Sequence, residues 1–263
     1  MKVIVCIKQV PESTEVKLDP KSYTLDRSSS KGIINPFDVN AVEEAMRITE
    51  KLENVETIVI SMGPPSAEEA LKEALTYGLN AAYLLSDKAF AGADTLATAY
   101  TLAKAIEKIG NYDLILCGKQ AIDGDTAQVG PGIAENLNLT QVTNVKKIDF
   151  LDEKTLRVES ELEDGYKVIE VKLPAVLTVT KEINIPRIPS FKTARLALKK
   201  PITKWAAQDL DNIDKSKIGM DGSPTTVIKV ETPTIQKNTV FLKGTPSQIA
   251  SDLIQKLKER YFI

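Results

Sequence analysis

The sequence predicts an α/β protein: a doubly wound, mostly parallel sheet with antiparallel edge strands and an extended C-terminal arm. Three observations predict it. Near-continuous apolar runs recur at 2–8, 55–63, 81–86 and 113–118, the pattern of parallel strands buried on both faces. Segments with apolar residues three and four apart alternate with these runs, as helices between such strands do. After Leu139 the apolar period drops to two, as in antiparallel strands with one wet face.

Taken in order, the run at 2–8 is a buried first strand. It is too short for a secretion signal, and Lys8 and Pro11 close it without a small-residue cleavage site, so a cytoplasmic protein is expected. The polar stretch 19–32 reads as a hairpin or excursion. A helix from Asp38 to Leu52 follows, with Val39, Val42, Met46 and Thr49 on one face. Asn35 or Asp38 could cap it, and Pro36 suits its entry. The second strand ends in the turn Ser61-Met62-Gly63-Pro64-Pro65. Ser66 and Glu69 then have capping-box spacing, Leu71, Ala74 and Leu75 share a face, and Gly78 stops the helix. After the strand at 81–86, a helix from Thr95 to Ile109 carries Leu96, Ala99, Ala103 and Ile106 inward. The strand at 113–118 leads through a glycine-rich loop to a helix marked by Val129, Ile133 and Leu137.

KKIDF, TLRVESEL and YKVIEV alternate, and Asp164-Gly165 is a hairpin turn signal. PAVLTVT (174–180) is continuous and apolar again, so it is expected to return to the central sheet. Pro186 and Pro189 prevent a helix over 184–200, and Phe191 has no evident core partner. Beyond Pro201 come a short amphipathic piece around Trp205, a polar stretch, the β-like TTVIKVE and a final helix from Ser247. The expected division is residues 1–200 as the α/β domain and 201–263 as an arm that needs another surface to lie on.

The chain has 263 residues, 43% apolar and 27% charged, which fits a packed globular protein. A net charge of −2 argues against a nucleic-acid binder. No apolar run approaches the ~18 residues of a membrane span. Cys6 and Cys117 lie in apolar strands and read as small buried hydrophobes rather than a disulfide or zinc site. The chain has no histidine, which removes His-based triads and metal sites and favours a protein that binds a cofactor and leaves the chemistry to it.

The loop Gly118-Lys119-Gln120-Ala121-Ile122-Asp123-Gly124-Asp125-Thr126-Ala127-Gln128-Val129 lies where ligands bind in open α/β sheets, between a strand's carboxyl end and a helix. Amides at the helix start lack intrahelical partners and favour an anion. Two aspartates would repel a phosphate if they faced it. A long turn with no ligand is the alternative, since the loop matches neither a Walker nor a G-x-G-x-x-G pattern. Asn35-Pro36-Phe37-Asp38 and Ser61–Pro65 would line the same crevice, or are simply a helix entry and a turn.

VIVCIKQVP, NPFDVNAVEEA (35–45), VISMGP (59–64), ADTLATA (93–99), GKQAIDGDTAQVG (118–130), PAVLTV (174–179) and IPRIPSFK (185–192) together resemble the beta subunit of electron transfer flavoprotein, in order over residues 1 to about 200. The resemblance implies an adenine-nucleotide-binding, Rossmann-like sheet. It implies that Cys6, Asn35, Pro36, Phe37, Asp38, Met62 and the loop from Gly118 to Val129 surround the nucleotide, with the Thr126–Val129 amides on phosphate. It implies an alpha-subunit partner that holds the main flavin and is embraced by the arm. Phe191 is implied to anchor an acyl-CoA dehydrogenase-type flavoprotein. No residue is implied to be an acid–base catalyst. The GDTAQVGP form is similar to the electron-bifurcating members, which bind FAD here, take hydride from NADH, and send electrons to ferredoxin or a similar acceptor and to the alpha-subunit FAD. The alternative within the family is a simple carrier with structural AMP, which tends to carry Asn before the Gln. A stand-alone ATP-binding regulatory domain is a reading of another class. It would need a phosphate-gripping motif such as SGGxDS after a strand, and none occurs.

Overall fold

A computed structural model describes residues 1–12, 32–228 and 239–262. It contains two compact units, Met1–Ile228 and Lys229–Ile263. The expected excursion at 19–32 falls, except for Gly32, outside the described residues, as does the end of TTVIKVE; residues 225–228 form no strand.

The first unit is built on a nine-stranded sheet. The apolar runs become β1 (Lys2–Cys6), β4 (Glu56–Met62), β5 (Ala81–Leu85) and β6 (Leu114–Gly118). β1 pairs in parallel with β4 on one side and β6 on the other. β2 (Gln9–Pro11) and β3 (Gly32–Ile34) form a separate antiparallel ribbon. The alternating segments form the antiparallel series β7 (Thr140–Phe150), β8 (Thr155–Glu161) and β9 (Tyr166–Lys172) at one edge. β10 (Ala175–Val179) returns to the interior, buried throughout and parallel to both β6 and β7. The piece around Trp205 is β11 (Ile202–Trp205), parallel to β5 at the opposite edge.

Helices cover both faces, as double winding requires. α1 (Pro36–Lys51) and α2 (Glu68–Thr76) bury Ala41, Val42, Ala45, Ile48, Leu71 and Leu75 in one core layer. α3 (Thr95–Ile109) and α4 (Val129–Leu137) bury Leu102, Ile106, Ile133 and Ala134 in the other. The second unit contains α6 (Pro246–Glu259), which follows α5 (Phe191–Ala197) of the first, and opens on a capping box between Thr245 and Gln248.

Four local expectations need correction. Ser66 does not cap α2: the adjoining prolines set a 3-10 turn, Pro65–Ala67, that takes up Ser66, and the helix begins at Glu68 with Ala67 at its cap. Leu96 is exposed, in the first turn of α3, and the buried face of that helix is carried by Ala99, Leu102, Ala103 and Ile106. The prolines at 186 and 189 do not exclude a helix after them: Ser190 Oγ accepts the Thr193 amide at 3.1 Å and starts α5. The buried face of α1 is carried by Ala41, Val42, Ala45 and Ile48 rather than by the longer residues beside them, since small side chains let the helix lie close on the sheet.

Candidate functional site

The strand order β11-β5-β4-β1-β6-β10-β7-β8-β9 reverses direction between β1 and β6. The chain winds outward from β1 through β4 and β5, then crosses to β6. Such a switch point leaves a crevice at the carboxyl ends of the two strands. A cleft of about 360 Å³ lies there.

Its floor is the end of β1 and of β6. Cys6 and Cys117 are register partners, buried and free. Contact with Cys6, together with burial, pushes the Cys117 thiol up well above its usual range, so it stays protonated and lines the floor as an apolar atom. Met62, at the end of β4, closes one side.

The NPFD turn does more than start α1. Pro36 occupies the first helical position, where its missing N–H costs nothing. Asn35 precedes it but makes no side-chain cap. Its amide reaches the opposite loop instead: Nδ2 donates to the Gln120 carbonyl at 2.8 Å, and Oδ1 accepts the Ile122 amide at 3.1 Å. Asp38 lies in the first turn of α1 and is 6% exposed. Its Oδ2 accepts the Lys8 amide at 2.7 Å and its Oδ1 the Gly118 amide at 3.1 Å. One carboxylate therefore ties the ends of β1 and β6 to the helix between them. Burial pushes its pKa up to about 7, against the opposing pull of Asn35 and the two amides. Gly118 is required by this approach, because a Cβ there would lie 2.2 Å from Asp38 Oδ1.

The loop after β6 is held on itself. Gly124 and Asp125 both donate to the Ala121 carbonyl, and Gln120 Nε2 donates to Asp125. Asp123 pairs with Lys8 Nζ at 2.5 Å. Both aspartates that could repel an anion are thus engaged within the loop or with a lysine. Asp125 and Ala127 have φ of 52° and 54°. This left-handed backbone delays the helix, so α4 starts at Val129 with Gln128 at its cap, rather than at Thr126. The first intrahelical bond is Gly132 N to the Gln128 carbonyl at 2.9 Å, and Pro131 has no N–H. The amides left for a ligand are those of Gln128, Val129 and Gly130.

Of the residues singled out from sequence, Cys6, Asn35, Asp38, Met62, Gly118, Lys119, Gln120, Ala121, Gly124, Thr126, Ala127, Gln128 and Val129 line the cleft. Pro36, Phe37, Ile122, Asp123 and Asp125 shape it without lining it. Phe191 stands apart from it at the start of α5 and is 85% exposed.

Sequence reasoning missed one wall. Ala93 and Asp94 just before α3, and Thr95, Thr98 and Leu102 within it, line the cleft. Asp94 caps that helix through Leu96 N and Ala97 N, and Thr95 Oγ1 donates to Gln128 Oε1 at 2.8 Å. The signal was present as an Asp-Thr pair opening a helical stripe, a cap with polar neighbours next to a strand end. Ile7 and Lys8 at the end of the first apolar run were missed as well.

The family described as "Electron transfer flavoprotein domain" matches residues 22–210. The chain is 50% identical over 263 residues to "Electron transfer flavoprotein subunit beta" of Thermoanaerobacterium thermosaccharolyticum, covering all of both chains. It is 46% identical over 264 residues to "Caffeyl-CoA reductase-Etf complex subunit CarD" of Acetobacterium woodii, again covering all of both. To "Protein FixA" of Bradyrhizobium diazoefficiens it is 44% identical over 260 residues, 97% of this chain and 90% of that one.

Proposed function

The chain belongs to the electron transfer flavoprotein family, as a beta subunit, and on that premise we propose that its cleft holds FAD and that the protein works in an electron-bifurcating complex. The residues present fit such a group. The amides of Gln128, Val129 and Gly130 at the positive end of α4 suit a pyrophosphate. Lys119 adds positive charge at the mouth, Lys8 neutralises Asp123, and Asp125 accepts from Gln120. Gly118 and Gly130 let Asp38 and Thr178 pack against the strand end and the helix start, since a Cβ there would lie 2.2 and 2.4 Å from them. The observation that carries the proposal is this loop: GDTAQVGP lines the cleft with the small Ala127, in left-handed backbone, and is similar to the form of the electron-bifurcating members.

Bound FAD would supply the redox chemistry, taking hydride from NADH and passing single electrons to a ferredoxin-like acceptor and to the FAD of an alpha subunit. The chain's own residues bind, orient and tune. Cys6, Cys117 and Met62 provide an apolar floor, Asp38 and Asn35 fix the loop, and the α4 amides hold phosphate. With no histidine in the chain and the Cys117 thiol held protonated, none of these needs to act as an acid or base. The similarity to a subunit named for a caffeyl-CoA reductase complex supports a CoA-ester dehydrogenase-type partner, and the exposed Phe191 is its anchor.

Counting cofactors in the purified alpha–beta complex tests the reading. Two FAD and no AMP per heterodimer are expected; one FAD with one AMP would leave the simple carrier instead. The anchor is tested separately. Phe191→Ala should lower electron transfer to the dehydrogenase about tenfold with cofactor content unchanged, and an unaltered transfer rate would remove Phe191 from the interface.

A further inference from the structure

We infer that Asp94 is a positioning residue that fastens the chain leaving the first unit to the wall of the cleft, so that nucleotide binding and this attachment reinforce each other. The inference rests on reading the cleft as a nucleotide site.

Asp94 faces the cleft beside Thr95 and Thr98. Its two oxygens divide their work. Oδ1 accepts Leu96 N at 2.9 Å and Ala97 N at 3.1 Å, capping α3. Oδ2 accepts Thr225 N at 3.2 Å and Thr225 Oγ1 at 2.8 Å. The Asp94 amide itself donates to Ser223 Oγ at 2.8 Å, and Ser223 Oγ donates to the Gly219 carbonyl at 2.7 Å. Thr225 lies near Ile228, where the first unit ends. Neither the fold of the sheet nor the cap of α3 needs the Thr225 bonds, since Oδ1 alone serves the cap.

The two events are coupled through charge. With Thr225 in place, four donors surround the Asp94 carboxylate. With Thr225 withdrawn, Oδ2 loses both of its donors and leaves a less compensated negative oxygen on the wall of an anion-binding cleft. A phosphate-bearing ligand therefore favours the tethered arrangement. By linkage the tether raises the affinity of that ligand by the same factor. The connection to the phosphate side is short: Thr95, next to Asp94, bonds Gln128 at the cap of α4.

The test is a mutant cycle on the nucleotide-stripped alpha–beta complex, titrated with FAD and with AMP. Thr225→Val should weaken binding of whichever nucleotide the wild type takes by about fivefold or more. In an Asp94→Asn background, whose amide nitrogen cannot accept from Thr225, the same change should have no further effect. Nucleotide should also slow hydrogen exchange at the Thr225 amide in the wild type. Thermal melting of each variant checks that the fold is intact, and Thr225→Ser, which keeps the hydroxyl, should recover affinity. Wild-type affinity in Thr225→Val, or additive losses in the double variant, would overturn the tether alone. A wild-type complex that bound neither nucleotide would overturn the cleft reading, and the tether with it.

Discussion

Asp38 shows how a single residue can build a site without touching the chemistry. Its two oxygens accept the amides of Lys8 and Gly118, which belong to different strand ends. Buried, it titrates at about 7 rather than at its ordinary value of 3.8. The folded protein therefore holds a proton there that the unfolded chain releases earlier. The stability from that proton is fully present below about pH 3.8 and is lost as the pH rises through about 7. Urea midpoints measured from pH 4 to pH 8 should show this loss, at no more than about 1.4 kcal/mol per pH unit from this one group. Asp38→Asn should remove that part of the slope. It should also cost roughly 1–3 kcal/mol at pH 8, because its NH2 meets a backbone donor that then has no acceptor. An unchanged pH slope in Asp38→Asn would show that the carboxyl is ionised throughout this range.

At the scale of elements, α1 connects the cleft with the exposed segment before α5. Its first turn holds the cleft loop through Asn35 and Asp38. One turn further on, Asn40 Nδ2 donates to the Asn184 carbonyl and Asn184 Nδ2 donates to Glu44, both at 3.0 Å. Glu43 takes the Arg187 guanidinium at 2.8 and 3.0 Å. That pairing holds the Glu43 carboxyl below its usual range against the effect of burial. Arg187 in turn is flanked by Ile185 and Ile188, both almost fully exposed. Arg187→Ala should destabilise the protein by roughly 2 kcal/mol in urea unfolding. It leaves a nearly buried carboxylate with Arg47 and the amide of residue 187, while that amide and the partial exposure of Arg187 limit the loss. Arg187→Lys should recover part of it, keeping the charge but not the fork; equal stability of wild type and alanine variant would show the pair to be ornamental. These contacts explain what the sequence could and could not disclose. Strands and helices were legible because burial on two faces writes continuous apolar runs and burial on one face writes a stripe. The glycine loop and the NPFD turn were legible as neighbours of one crevice because they follow strand ends. The roles of Asn35, Asp38, Glu43 and Glu44 were not, because local spacing offers them as caps or solvated charges, whereas their partners lie 30 to 144 residues away. The α3 wall was missed for the same reason: Asp94 reads as a cap, and nothing local places it opposite Gln128.

At the scale of the whole molecule, the question is where the sheet unit stops needing sequence. The second core layer includes Ala207, Leu210 and Ile218, and Trp205 packs at its margin against Tyr83 with ring centroids 4.6 Å apart. β11 also covers the edge of β5, whose backbone groups would otherwise be open. Residues 201–228 thus belong energetically to the sheet, whatever surface the following residues lie on. Removing this segment would forfeit roughly 1.5–3 kcal/mol of apolar burial for each of Leu210 and Ile218. A chain ending at Lys200 should therefore unfold about 5 kcal/mol more easily, or fail to fold, and expose an edge prone to association. A chain ending at Ile228 should keep the wild-type urea midpoint, because among the described residues both core layers are complete before that point. On the proposed reading the same chain should still bind nucleotide but no longer hold an alpha subunit, since the deleted unit carries the amphipathic α6 with Leu253 and Ile254 half-exposed. Sizing chromatography of the two truncations with an alpha subunit, alongside their unfolding curves, separates the claims. A chain ending at Ile228 that melted like the one ending at Lys200 would place the stabilising contacts in the final 35 residues and contradict a boundary of the sheet unit at Ile228.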